Sequence, residues 1–97
     1  MQVTIDGTQI RTQTDFHNTL GRLLDFGPYY GHNSSGLWDR LTTDVERPVE
    51  IVWESSGISR ELMGIEAFDA IATVLRDAAD RDESNHPADE RLTVVFA

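Results

Sequence analysis

A β-rich run, a long helical stripe and a second β-rich run follow one another in the C-terminal half of the chain, and that order constrains the fold more than any other feature. Val49-Glu50-Ile51-Val52-Trp53, with Pro48 leading into it, is dense in β-branched and aromatic residues and reads as a central strand. From residue 66 to about residue 82, Phe68, Ile71, Ala72, Leu75 and Ala79 recur at three- and four-residue spacing, which predicts an amphipathic helix. Residues 91–97 carry Leu92, Val94, Val95 and Phe96 and read as a last strand. Strands separated by a helix do not close as a hairpin; a crossover connection lays them parallel.

The N-terminal half fits the same plan. Val3 and Ile5 alternate with polar neighbours and run into Asp6-Gly7, a short strand ending in a turn. Thr14 is a suitable N-cap, and Asp15 suits the positive end of a helix dipole. Phe16, Leu20, Leu23 and Leu24 then mark one face of a helix that Gly27-Pro28 stops. His17, one residue past the core-facing Phe16, is expected at the surface. Residues 29–35 read as an ordered loop, with Gly31 and Asn33 able to take left-handed conformations. Ser34 or Ser35 can cap a short second helix in which Leu37 and Leu41 face inward and Trp38 packs at the edge. Asp39 lies about 200° around that helix from Leu37 and points away from the core. A short helix is expected over residues 55–63, with Ile58 and Leu62 on its apolar side, and a polar loop over residues 82–90, which contains His86-Pro87. The expected fold is α/β, a three-stranded parallel sheet packed with about four helices, in a single domain over residues 1–97.

Charge narrows the partners. Seventeen acidic residues against eight basic ones give a formal charge of -9. Such a surface repels phosphate backbones and anionic membranes, so neither is an expected ligand; it attracts a basic protein. With no cysteine, disulfides and Cys-ligated zinc are excluded. The N-terminus lacks a basic region followed by an apolar stretch, and no apolar run approaches membrane-spanning length, so a cytoplasmic protein is expected. His17, His32 and His86 show no metal-ligand spacing, and no cofactor, metal or catalytic constellation is expected.

One segment carries a more specific signal: Tyr29-Tyr30-Gly31-His32-Asn33, followed by Leu37-Trp38-Asp39-Arg40-Leu41-Thr42. It resembles the signature of the barstar family, which pairs a Tyr-Tyr-Gly-x-Asn loop with a Leu-Trp-Asp-x-Leu helix. The order of strands and helices matches that family over nearly the whole chain. The resemblance implies an intracellular inhibitor of a small secreted guanyl-preferring ribonuclease of the barnase type, bound one to one by a monomer. It further implies that Asp39 takes the place of an RNA phosphate among the enzyme's cationic groups and that Tyr29 lies against a catalytic histidine. Asn33, Trp38 and Thr42 would line the contact, with Asp77 and Asp80 at its edge.

Elementary chemistry supports those roles. A ribonuclease gathers cations to stabilise a phosphorane-like transition state, and a carboxylate on a rigid helix satisfies them without offering a bond to cleave. On the long helix, Glu66, Asp69, Thr73, Asp77 and Asp80 fall within roughly an 80° sector opposite the apolar stripe. The chain departs from the family pattern at Ser35, which stands where a second acid is usual, at Thr43-Asp44 in place of Gly-Trp, and at Arg81. Gly36 should loosen the helix start, and Asp44 is a candidate to supply charge that Ser35 lacks. The cognate enzyme is therefore expected to differ from barnase. The alternative is an immunity protein, or a regulatory module, for a partner that is not barnase-like.

Overall fold

The computed structural model describes residues 1–97. Strand β1 (Gln2–Asp6) leads through one 3-10 turn (Gly7–Gln9) to helix α1 (Gln13–Leu23). Helix α2 (Ser34–Thr43) precedes β2 (Val49–Glu54), and α3 (Ser56–Met63) and α4 (Ile65–Asn85) carry the chain to β3 (Leu92–Phe96). The strand order is β1-β2-β3 and both pairings are parallel, so the run at 49–53 is the central strand its composition predicts. No helix is long and apolar enough to cross a membrane.

Register sets the core. Val3, Ile51 and Val94 lie side by side across the sheet, as do Ile5, Trp53 and Phe96. Alternation sends these residues to the helix-covered face, while Thr4, Val52 and Val95 form the opposite, uncovered face. Trp53 is the centre of the packed side. Its indole stacks on Phe16 at 4.8 Å between ring centroids and meets Phe68 at 5.0 Å. Its Nε1–H donates to Ser59 Oγ (2.9 Å), and that hydroxyl donates to the Gly7 carbonyl (2.7 Å). Gly7 can only be glycine here, because a Cβ would sit 2.2 Å from the Glu54 carbonyl oxygen.

That relay also corrects the sequence reading of α3. The helix forms as expected, but Ser56 and Ser59 face inward while Ile58 and Leu62 stay exposed. The buried side of α3 meets backbone carbonyls and an indole N–H rather than apolar side chains, so hydroxyls serve it better than methyl groups. Thr12, not Thr14, caps α1: its Oγ1 accepts from Asp15 N–H at 3.1 Å, while Asp15 Oδ2 accepts from Arg11 N–H at 3.0 Å. Leu23, placed on the apolar stripe by its spacing, is exposed.

The largest difference lies at the end of α4, which runs through Asn85 rather than yielding to a loop at residue 82. Asp82 continues the buried stripe and is fully buried. Its Oδ2 accepts from Arg47 Nε (2.7 Å) and from the Leu92 N–H (2.7 Å), and its Oδ1 accepts from Arg47 Nη2 (3.1 Å). Arg47 also donates to the carbonyls of Leu41 (2.6 Å) and Val45 (2.5 Å). One ion pair thus joins the end of α2, the approach to β2, α4 and the start of β3. Burial alone would raise the Asp82 pKa; the hydrogen bonds from Arg47 and Leu92 outweigh it and hold the carboxyl below its usual range.

Candidate partner-binding site

The site begins with the cap of α2. Asn33, rather than Ser34 or Ser35, is the N-cap: its Oδ1 accepts from Gly36 N–H at 2.7 Å and its Nδ2 donates to the Gly31 carbonyl at 3.1 Å. A Cβ at Gly36 would lie 3.3 Å from Asn33 Oδ1 and 3.4 Å from Gly31 N, so the glycine leaves room for the cap side chain. The left-handed residue in the loop is His32 (φ 50°), not Gly31 or Asn33. Asn33→Ala removes the cap and should cost about 1 kcal/mol, read as a lower urea midpoint with an unchanged slope.

Under the loop lies a pair that sequence reasoning placed wrongly. His17 is buried, not at the surface, and its Nδ1 is hydrogen-bonded to the Tyr30 hydroxyl. The His32 ring lies over both, 4.9 Å from Tyr30 and 6.1 Å from His17 between centroids. Burial, then the neighbouring His32 charge, lowers the His17 pKa from 6.5 to about 4. Burial pushes the Tyr30 hydroxyl up. In the unfolded chain His17 takes its proton near 6.5, whereas the fold resists until about 4, so stability is lost as pH falls through that window. Urea midpoints at pH 7 and pH 4.5 should show this loss, and His17→Gln should make it smaller.

With Leu37 and Leu41 fully buried, α2 has one possible orientation. Trp38 is then half-buried at the edge of the core and Asp39 is exposed. Ser34, Ser35, Trp38 and Asp39 of α2 face Val74 and Asp77 of α4 across an open cleft of about 400 Å³. Trp38 and Val74 supply its apolar surface, two serines its hydroxyls, and Asp39 and Asp77 its charge. Neither carboxylate takes part in any of the chain's four ion pairs, and no basic residue lines the cleft. Two unsatisfied anions on separate rigid helices make a preformed receptor for cationic groups.

The other residues singled out in the sequence lie outside this cleft. Tyr29 is 89% exposed and stands free on the loop. The Thr42 hydroxyl donates to the Trp38 carbonyl at 2.8 Å, and so serves the helix. Asp44 is the C-cap of α2 and pairs with Arg40, whose hydrogen bond lowers its pKa; its charge is already compensated within the chain. Asp80, about 60° around α4 from Asp77, lines a second groove beside β3 instead. Sequence reasoning missed Ser34 and Val74. The pattern that finds Val74 is its position one turn before Asp77 on the stripe's flank.

The fold is thus a three-stranded parallel sheet with four helices, with an acidic cleft between α2 and α4. Residues 1–96 match the family described as "Barstar (barnase inhibitor)", and the chain belongs to that family. It is also similar to a Bacillus subtilis (strain 168) protein named "Putative ribonuclease inhibitor YrdF", with 33% identity over 73 residues, covering 75% of this chain and 80% of that protein.

Proposed function

We propose that the protein inhibits a small secreted, guanyl-preferring ribonuclease of the barnase type. It binds one to one as a monomer in the cytoplasm and blocks the active site without chemistry. The observation that carries this reading is the pair of unpartnered carboxylates, Asp39 and Asp77, converging on one open cleft. Asp39 stands in for an RNA phosphate among the enzyme's cations, and Asp77 meets a cation at the rim. Tyr29, free on its loop, lies against the catalytic histidine, while Trp38 and Ser35 fill the surface between. Asn33 contributes by fixing the loop rather than through a free side chain. Thr42 borders the contact and Asp80 acts through the long-range field, while Asp44, neutralised by Arg40, adds little to it.

The charge of -9 should steer a basic enzyme to this face. The association rate is therefore expected to fall steeply as ionic strength rises. Stopped-flow mixing at increasing salt checks this.

A second reading, an immunity protein for a toxin whose nuclease is not barnase-like, draws on Ser35, a hydroxyl where the family usually has an acid. Titrating RNA cleavage by barnase-type ribonucleases with the folded protein separates the two. Complete inhibition at one equivalent supports the first. No inhibition of any of several such enzymes favours the second.

A further inference from the structure

Strand β3 is an edge of the sheet, paired on one side only, with β2. The bonds from Val49 N–H to the Arg91 carbonyl and from Ala97 N–H to the Trp53 carbonyl set the phase of that ladder. Odd-numbered residues of β3 turn their backbone groups toward β2, and Leu92, Val94 and Phe96 turn theirs outward. The Leu92 N–H is satisfied by Asp82. The N–H and C=O groups of Val94 and Phe96 have no partner in the chain.

Exposed edges usually carry a charge, a proline or a bulge that discourages pairing. Leu92-Thr93-Val94-Val95-Phe96 has none of these. A groove of about 200 Å³ runs beside it, walled by Asp80 and Glu83 of α4 and by Arg91, Thr93 and Val94. Thr93 belongs to the uncovered face of the sheet and Val94 to the packed face, so the groove wraps the edge itself. The Arg91 guanidinium is occupied by the carbonyls of His86 (2.9 Å) and Glu83 (3.1 Å), which leaves the Asp80 and Glu83 carboxylates without an ion-pair partner.

We propose that the free edge of β3 is a second docking surface, which takes an extended cationic segment of a partner protein by strand addition. Backbone bonds to Val94 and Phe96 hold the added strand. Its alternate side chains divide between the two faces: basic ones reach Asp80 and Glu83, and apolar ones cover Val95, which is 41% exposed. A second copy of this chain is disfavoured as the occupant, because it would bring the same carboxylates and another charge of -9 to the edge. The surface is separate from the α2–α4 cleft and does not depend on the ribonuclease reading.

The probe is a blocked Val-Arg-Val-Arg-Val peptide, with a counterpart N-methylated on alternate backbone nitrogens, titrated into the isotope-labelled full chain. The expected result is that the first peptide shifts the Val94 and Phe96 amides and slows their hydrogen exchange, while the N-methylated one does neither. Asp80→Asn combined with Glu83→Gln, both at exposed positions, should weaken binding about threefold to tenfold. Equal binding of both peptides, or shifts confined to residues around Asp39 and Asp77, would overturn the proposal in favour of simple charge attraction. Slowed exchange at Val94 and Phe96 that grows with protein concentration, without peptide, would overturn it in favour of a second copy. Absence of binding by the first peptide at millimolar concentration would overturn it outright.

Discussion

Asp82→Ala is expected to lower folding stability by about 3–5 kcal/mol, a large fraction of what a domain of this size possesses. The substitution strands two groups and opens a void. Arg47, whose side chain is only 11% exposed, keeps its charge and loses its counter-ion. The buried Leu92 N–H, held at 2.7 Å by Asp82 Oδ2, loses its only acceptor. The space of the carboxylate is left at the joint between α4 and β3. Asp82→Asn should cost less, because an amide oxygen still accepts from Leu92 while the charge is lost. Replacing both partners with apolar residues should recover only part of the loss. The carbonyls of Leu41 and Val45 would still be without the Arg47 donors. The pair also has a signature in acid. Because the folded pKa of Asp82 is depressed, its contribution is present above the ordinary carboxylate range and is lost as pH falls through the folded value. Urea denaturation of the wild type and the two single variants at neutral pH measures the first effect, and the acid limb of the same curves measures the second.

Asp39→Ala should do the opposite kind of damage. Asp39 is exposed in the middle of α2, and its carboxylate is in none of the chain's ion pairs, so folding stability should change by no more than about 0.5 kcal/mol. Affinity for the cognate ribonuclease should fall by about 2–5 kcal/mol, roughly thirty-fold to several thousand-fold, a range for which the family's type complex is itself a measured source. Most of that penalty belongs to the enzyme, whose cations are left buried and unpaired. Asp77→Asn, at the rim of the same cleft, should cost less and act more on the association rate. Calorimetric titration of each variant, beside its urea curve, separates lost binding from lost folding.

These two aspartates also show what the sequence discloses and what it hides. The exposed position of Asp39 was legible because helix geometry puts it opposite Leu37, within a stretch that carries a family signature. Asp82 was not, because polar residues from 82 onward, with His86-Pro87 among them, imitate a loop. The clue was its phase: it extends the series Phe68, Ile71, Leu75 and Ala78, and an acid on an apolar stripe requires a buried partner. Arg47, 35 residues away in the chain, is that partner, and no local pattern announces so distant a bond. His17 failed for a related reason. The buried face of α1 is wide enough to take the residue beside Phe16, and the Tyr30 hydroxyl supplies the hydrogen bond that makes burial tolerable. The strands and their parallel order were legible throughout, since period-two patterns and crossover rules act at short range. The inside-out α3 was not, since Ser59 is buried to serve an indole six residues earlier and a carbonyl 52 residues earlier.

On the proposed reading, Asp39 and its cleft occupy the ribonuclease's phosphate site. The most direct measurement is equilibrium competition between this protein and guanosine 3′-monophosphate for a barnase-type ribonuclease it inhibits. Mutual exclusion is expected: the apparent affinity of the protein falls in proportion to nucleotide occupancy, and Asp39→Ala binds more weakly while still excluding the nucleotide. A ternary complex, in which nucleotide and protein bind the enzyme together without loss of affinity, would contradict it.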